Sequence, residues 1–237
     1  MNKRPISAEM YYGVGFRTRE NNRRTDENLL QTLLEFESPD VSDQLNRMST
    51  VLPEIHCLTG AHHRLVGPVC TVKVYPGDNL MVHKSLDIAR SGDVVVVDAS
   101  GSNMNAVLGD LICTKAKSRG IAGFIVDGYI RDLPDILPLD FPVFARGITA
   151  VGPLHRGPGE INYAICCGGA VTNPGDIVLA DQVGIVIIPQ DHAADLCERL
   201  IASRERNREY LEAVKRGEFS NEWVDEILTS AGVRSKF

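Results

Sequence analysis

Apolar residues along this chain fall into two rhythms. In one they recur at three- and four-residue intervals, as on a helix with one buried face. In the other they run unbroken between turn signals, as in a strand covered on both sides. The first rhythm predicts a helix over 26–36, with Leu29, Leu30, Leu33 and Leu34 on one face. Ser38-Pro39-Asp40 breaks it, and a second helix opens near 41–45, where Ser42 or Asp43 could cap locally. Further helices are predicted over 79–90 and 192–214, the last rich in Arg and Glu, with Glu212 and Arg216 spaced as a helical pair. The second rhythm predicts strands over 65–74, 94–97, 142–145, 161–166, 177–180 and 185–188. Gly67-Pro68 interrupts the first of these in a way that suits an edge or a bulge. Asp181 to Gly184 turns the last two into a hairpin-like pair.

The stretch from Ala106 to Asp132 combines both rhythms. Asp110 is a plausible N-cap, followed by Leu111, Ile112 and Ala116 at helical spacing and by Gly120 where a helix would end. Ile121 to Val126 then reads as a buried strand stopped by Asp127-Gly128. Arg131 and Asp132 lie beyond its C-terminal end, where a returning segment faces the start of the preceding helix. Two carboxylates, a guanidinium and an anion-seeking helix N-terminus are thereby brought within possible reach of one another. The polar stretch 98–103 reads as a loop at a strand's C-terminal end, a natural mouth for a small-molecule pocket. No G-x-G-x-x-G opens a helix there, which argues against dinucleotide binding. His83, among apolar neighbours, reads as a supporting residue.

Composition narrows the classes. The 237 residues suffice for one large domain or two small ones, and 43% hydrophobic with 24% charged residues is ordinary for a globular protein. A net charge of −6 argues against sequence-independent nucleic-acid binding, and no apolar run approaches the roughly 18 residues of a membrane span. Met1 to Arg24 is polar and carries Arg17, Arg19, Arg23 and Arg24 without an apolar core, so it is not a secretory signal; Glu9 and Glu20 count against an organellar leader. Residues 1–25 are read as an arm packing on a neighbouring subunit, and 26–237 as a single domain. The six cysteines contain no C-x-x-C, which points to scattered reduced core thiols in a cytoplasmic protein.

The spacing Asp110, twenty residues, Arg131-Asp132, preceded by Leu108-Gly109 and spanning Gly120-Ile121-Ala122-Gly123-Phe124-Ile125-Val126-Asp127-Gly128, carries a family resemblance. Together with Gly77-Asp78-Asn79-Leu80-Met81-Val82-His83 and Asn173-Pro174-Gly175-Asp176, it resembles the metal-dependent pyruvate aldolases. These cleave 4-hydroxy-4-methyl-2-oxoglutarate and 4-carboxy-4-hydroxy-2-oxoadipate, and share a fold with the regulator of ribonuclease activity A. The resemblance runs from about Pro39 to the helix near Glu218.

It implies an α/β fold of the swivelling β/β/α type. That is a single domain with a mixed central sheet core, flanking helices and a long C-terminal helix, assembled as homotrimers or homohexamers. It implies retro-aldol cleavage of a 4-hydroxy-2-oxo acid to pyruvate and a second oxo compound, with oxaloacetate decarboxylation as a further activity. By the same resemblance Asp132 is the direct ligand of Mg²⁺ (or Mn²⁺), Asp110 holds a metal-bound water that shuttles the proton, and Glu205 or Glu209 approaches from a neighbouring subunit. The substrate carboxylate would lie on the backbone N–H groups of Leu111 and Ile112 beside Gly109, with Arg131 neutralising the keto oxygen as it becomes an enolate. Lys115 and Lys117 sit in polar surroundings, which speaks against a Schiff-base route. Two other readings compete: a non-catalytic, protein-binding regulator of ribonuclease activity, and a lyase or decarboxylase for another 2-oxo acid.

Overall fold

Val94 to Val97 are completely buried, and the sheet is layered around the strand they form. Successive strand residues point to opposite faces, and the four valines divide accordingly. Val95 and Val97 join one apolar cluster with Val82, Leu86, Ile112 and Ala116 from the helices. Val94 and Val96 join a second with Val178, Ala180, Ile185 and Ile187. A strand apolar at every position is what a sheet covered on both faces requires.

The computed structural model describes residues 9–21 and 23–233; the first eight residues of the predicted arm and the tail at 234–237 lie outside the described residues. The elements are, in order, β1 (Phe16–Thr18), α1 (Glu27–Leu33), α2 (Ser38–Gln44), β2 (His56–Cys57), β3 (Leu65–Val74), α3 (Leu80–Ile88) and β4 (Val94–Ala106). There follow α4 (Asp110–Ser118), β5 (Gly123–Ile130), α5 (Leu133–Ile136), β6 (Val143–Ile148), β7 (Gly159–Ile161), β8 (Ile165–Cys167), β9 (Ala170–Thr172), β10 (Ile177–Ala180) and β11 (Ile185–Ile188). Two helices end the chain, α6 (Ala193–Lys215) and α7 (Glu222–Ser230).

The main sheet runs β1-β7-β3-β4-β5-β6-β2, with β10 and β11 continuing from β3, while β8 and β9 form a separate hairpin. β3, β4, β5 and β6 are mutually parallel, joined by crossovers that carry α3, α4 and α5. β7, β10 and β2 add antiparallel neighbours, so the sheet is mixed. The chain divides into two compact units, one ending at Cys197 and one beginning at Glu198. All strands lie in the first; the second comprises most of α6 together with α7.

Several elements depart from their predicted form for local reasons. Gly67-Pro68 marks a change of partner within β3: residues 65–68 pair with β10 and 69–73 with β4. Glycine is required at 67 because a Cβ there would stand 2.5 Å from the Gly92 carbonyl oxygen. The polar stretch 98–103 is a bulged continuation of β4, with register shifts after Asp98 and Ser102. Asp98 makes this possible, accepting from Ser100 N–H at 2.9 Å and pairing with Lys73 at 2.7 Å. β5 likewise runs past Asp127-Gly128, since the Asp127 carboxylate is satisfied by Arg146 at 2.5 Å and Gly168 N–H at 2.8 Å. The single strand predicted over 161–166 is split into β7 and β8 at Asn162, whose φ of 61° breaks the extended run.

Helix ends shift too. α2 begins at Ser38, so Ser42 and Asp43 are interior, and the Ser42 hydroxyl bonds Thr50 at 2.7 Å. In α6, Glu212 pairs with Lys215 at 2.8 Å, while Arg216 turns to Glu218 at 2.7 Å. Residues 16–18 of the arm add an edge strand to the chain's own sheet, where Arg17 pairs with Glu160 at 2.7 Å. Four of the six cysteines are buried as predicted, but Cys166 is exposed and Cys57 half-buried.

Asp181 anchors α2 to the β10–β11 turn. Its carboxylate accepts from the Ser38 N–H and hydroxyl, both at 2.7 Å, and from Val183 N–H at 2.8 Å and Gly184 N–H at 3.1 Å. Burial alone would push this carboxyl up, yet the Ser38, Val183 and Gly184 bonds hold it below the ordinary carboxylate value. A depressed folded-state value means the stabilisation is complete above the unfolded value of about 3.9 and is lost as pH falls through the folded one. Asp181→Ala is therefore expected to lower unfolding stability by about 3 kcal/mol at pH 7, with the difference from the parent shrinking below about pH 4. Urea titrations across pH measure both.

Candidate active site

Two backbone hydrogen bonds stitch the exit of β4 to the exit of β5. Val107 N–H donates to Tyr129 O at 2.9 Å, and Arg131 N–H donates to Leu108 O at 3.0 Å. The start of α4 therefore lies beside the residues that follow β5, at the C-terminal edge of the parallel strands. Gly109, not Asp110, is the N-cap of α4; Asp110 is its first helical residue. Glycine is needed at 109 for space: a Cβ would stand 2.4 Å from Asp132 Oδ2 and 3.1 Å from Arg131 Cγ.

The nine-residue α4 has no side-chain cap at its N-terminus. Its first turn bonds from Cys113 N–H to Gly109 O at 3.1 Å, so the N–H groups of Asp110, Leu111 and Ile112 have no acceptor within the helix. These donors and the helix dipole make the end attractive to an anion. It opens on a cleft of about 290 Å³ lined by Gly109, Asp110, Leu111, Ile112 and Arg131. All five residues predicted to bind substrate thus border one cavity.

Asp132 stands just behind them. Its Oδ2 is 3.0 Å from Arg131 Nε, and its backbone, at φ 55°, is left-handed as the chain turns into α5. About a third of the Asp132 side chain is exposed. One partly exposed carboxylate, set against Gly109 at the start of α4, is the kind of donor that suits a hard divalent cation retaining most of its water. Glu205 and Glu209 lie exposed on α6 within the second unit, Glu205 paired with Arg208 at 3.0 Å.

The far wall of the cleft was not legible in the sequence. Asn79, His83 and His155 line it together with Gly152 and Pro153. His155 Nδ1–H donates to Asn79 Oδ1 at 2.6 Å, and the His83 and His155 rings stand edge to face, 5.7 Å apart. Burial, then Lys115, then His155 push the His83 imidazole below its ordinary value, so it is neutral at pH 7. Asp78 secures this wall by accepting from Leu80 N–H at 2.8 Å and from Arg156 N–H at 2.6 Å. The predicted supporting histidine therefore faces the cleft. The chain gave no local sign of its partners, because His155 lies 76 positions from Asn79 in a Gly- and Pro-rich loop.

Comparison with known proteins agrees with this architecture. Residues 38–187 match the family model described as "RraA-like: Aldolase/RraA". A Halalkalibacterium halodurans protein named "Putative 4-hydroxy-4-methyl-2-oxoglutarate aldolase" is 40% identical over 159 residues, covering 67% of this chain and 75% of that one. A Pseudomonas aeruginosa protein of the same name is 33% identical over 157 residues, covering 66% of this chain and 96% of its own length. Among solved structures, Streptomyces coelicolor RraAS2, described as an unusual member of the RNase ES inhibitor RraA protein family, superposes with a TM-score of 0.73. It is 28% identical, over 81% of this chain and 99% of that one. From β-sheet order to the α4–β5 motif, this chain belongs to the RraA-like (Aldolase/RraA) family.

Proposed function

We propose that this chain is a divalent-metal-dependent lyase that cleaves a 4-hydroxy-2-oxo acid to pyruvate and a second oxo compound. The observation that carries the reading is the joint opening of Arg131 and the uncapped α4 N-terminus into one cleft. A 2-oxo acid presents a carboxylate and an adjacent keto oxygen. The N–H groups of Leu111 and Ile112 suit the first, and the Arg131 guanidinium suits the second. The aldolase names of the sequence relatives support the same assignment.

In such a cleavage the 4-hydroxyl loses its proton, the C3–C4 bond breaks, and its electron pair moves to the former keto oxygen as an enolate. Proton return to C3 completes pyruvate. Arg131 would stabilise negative charge as it develops, which is the most productive use of a fixed cation in a partly enclosed site. Three groups able to accept a proton line the cleft: Asp110, His83 and His155. Mg²⁺ or Mn²⁺, held directly by Asp132 and through water by Asp110, would supply further positive charge to the enolate when bound. Loss of carbon dioxide from oxaloacetate leaves the same enolate, so decarboxylation is proposed as a second activity of the site. Assembly as a homotrimer or homohexamer, with a neighbouring copy's Glu205 or Glu209 approaching the site, belongs to the same proposal. Among the described residues, no helix is long and apolar enough to cross a membrane.

The match to the RNase ES inhibitor family favours one other reading, a protein-binding regulator without turnover. A coupled pyruvate assay over a panel of 4-hydroxy-2-oxo acids and oxaloacetate, with and without Mg²⁺ or Mn²⁺, separates the two. Metal-dependent pyruvate release is expected; none from any substrate, with capture of a large ribonuclease, would favour the regulator.

Asp132→Ala should reduce kcat/KM by at least about 10³ and remove the metal dependence. Undiminished turnover with chelator present would refute its role. Arg131→Lys should cost about 10² or more, because a point charge cannot reproduce the planar fork. Gly109→Ala should leave the far-ultraviolet spectrum unchanged yet lower kcat by about 10², since the added methyl collides with the Asp132 carboxylate. Near-parental turnover in that variant would show that the position of the carboxylate is not critical.

A further inference from the structure

At the opposite end of the sheet, outside the cleft, His62, His63 and Asp140 bring three ligand atoms within 4.8 Å of one another. We propose that these residues form a second metal site, selective for a borderline transition cation of the zinc class and independent of the lyase chemistry.

The cluster is assembled by two turns. β2 and the residues after it are fixed along the start of β6: Cys57 pairs with Phe144, Leu58 N–H donates to Val143 O at 2.9 Å, and Val143 N–H donates to Thr59 Oγ1 at 3.0 Å. The chain then doubles back at Gly60, whose φ of +138° and lack of a Cβ admit the His62 ring, an added Cβ falling 2.7 Å from His62 Cε1. His63 N–H closes the turn on Gly60 O at 3.2 Å. From the other side, Asp140 ends the 3₁₀ turn Leu137–Leu139 in a left-handed conformation, φ 47°.

Distances and chemistry both fit a cation. His62 Nε2 is 3.1 Å and His63 Nε2 3.8 Å from the same oxygen, Asp140 Oδ1. Tetrahedral zinc with bonds of about 2.0–2.2 Å holds its ligand atoms roughly 3.4 Å apart, so the observed separations bracket what is required. The decisive atom is His63 Nε2. The residue is only 7% exposed, and this nitrogen has no hydrogen-bond partner. A buried polar atom left unpaired is costly, and a metal bond would satisfy it. His62 and Asp140 are exposed, so the outward coordination position is open to water. Two imidazoles and one carboxylate favour zinc over magnesium, which takes oxygen ligands. Two nearby cations are engaged elsewhere: Lys117, near the end of α4, donates to Leu139 O, and Arg64, which lines a pocket with His62, donates to Phe36 O.

Separation from the cleft follows from topology. β5 and β6 are parallel, Asp140 precedes the first residue of β6, and Arg131 follows the last residue of β5. The two places are thus at opposite ends of the strands, about 20 Å apart at 3.3 Å per residue. A cation here would clip the β2–β3 turn to the lead into β6 and would stabilise the fold by linkage.

The test uses the full chain, freed of metal by chelation, in a Cys166→Ser background that removes the exposed thiol. Zn²⁺ is titrated by calorimetry and against a chromogenic chelator. One Zn²⁺ per chain should remain bound in the presence of excess Mg²⁺ and in Asp132→Ala, and should raise the thermal midpoint. His62→Gln and Asp140→Asn, both at exposed positions, should weaken binding by about tenfold or more and abolish the midpoint shift. His63→Asn should do the same, with circular dichroism confirming that each variant is folded. X-ray absorption of the zinc-loaded Asp132→Ala protein should show imidazole nitrogen. Absence of zinc binding would overturn the proposal. So would zinc that survives His62→Gln and Asp140→Asn, or zinc lost in Asp132→Ala, which would place the ion elsewhere. None of these outcomes depends on turnover, so the lyase reading stands or falls separately.

Discussion

The close approach of Gly109 to Asp132 is the constraint on which the rest of the site depends. The carboxylate stands where a side chain at 109 would be, with no room for even a methyl group. That proximity is imposed by the backbone bonds from Val107 to Tyr129 and from Arg131 to Leu108, which hold the ends of β4 and β5 side by side. A helix start and a post-strand turn are ordinarily free to shift relative to one another. Here they are fixed by main-chain hydrogen bonds, so the position of Arg131 does not depend on side-chain packing alone. Such rigidity is what a site needs if fixed charges are to act without reorganising as the reaction proceeds.

The sheet supplies that rigidity because it is buried on both sides. Val95 and Val97 face the helices that carry the site, and Val94 and Val96 face the layer built from β10 and β11. Displacing β4 would disturb two apolar clusters at once. The bulge at 98–102 relieves the strand without ending it, so β4 stays paired until it delivers the chain to α4. The Lys73–Asp98 pair at the start of the bulge and the Asp127–Arg146 pair on the neighbouring strand place charge inside the sheet, each carboxylate having a cation and a backbone N–H. Buried carboxylates are tolerable when satisfied in this way.

What the sequence disclosed divides along the same physical lines. β10 and β11 were legible to the residue, because a short, unbroken apolar run between turn signals fits a strand covered on both faces and little else. The α4–β5 unit was legible because helix, glycine and strand are consecutive, and the juxtaposition of Asp110 with Arg131 follows from one crossover. The strand character of 98–103 was not. Its polar residues are accommodated by partners far away in the chain, including Lys73 and the Cys166 N–H, that local composition cannot reveal. The Asn79–His155 wall was hidden for the same reason. The cap of α4 lies one position earlier than the sequence suggests, since an aspartate at the first helical residue and one at the cap look alike in sequence. The glycine that takes the cap here is selected by crowding from Asp132, which is a tertiary effect.

The two ends of the parallel strands present opposite chemistry, and the difference follows from strand polarity. At the C-terminal ends the chain enters helices, so backbone N–H groups point outward and favour anions, with Arg131 adding to the same preference. At the N-terminal ends the chain arrives through turns, where imidazoles and a carboxylate collect beside β6 and favour a cation. In the proposed lyase a 2-oxo acid would suit the first end twice, through its carboxylate and its developing enolate. Having a cation bound by carboxylates there requires that Arg131 and the helix dipole not repel it. The Asp132 carboxylate, set against the Arg131 guanidinium at 3.0 Å, offsets part of that positive field. In the proposed reaction the same arginine would face substrate while the aspartate kept its exposed side for a cation, so that the Arg131-Asp132 pair would act as a unit.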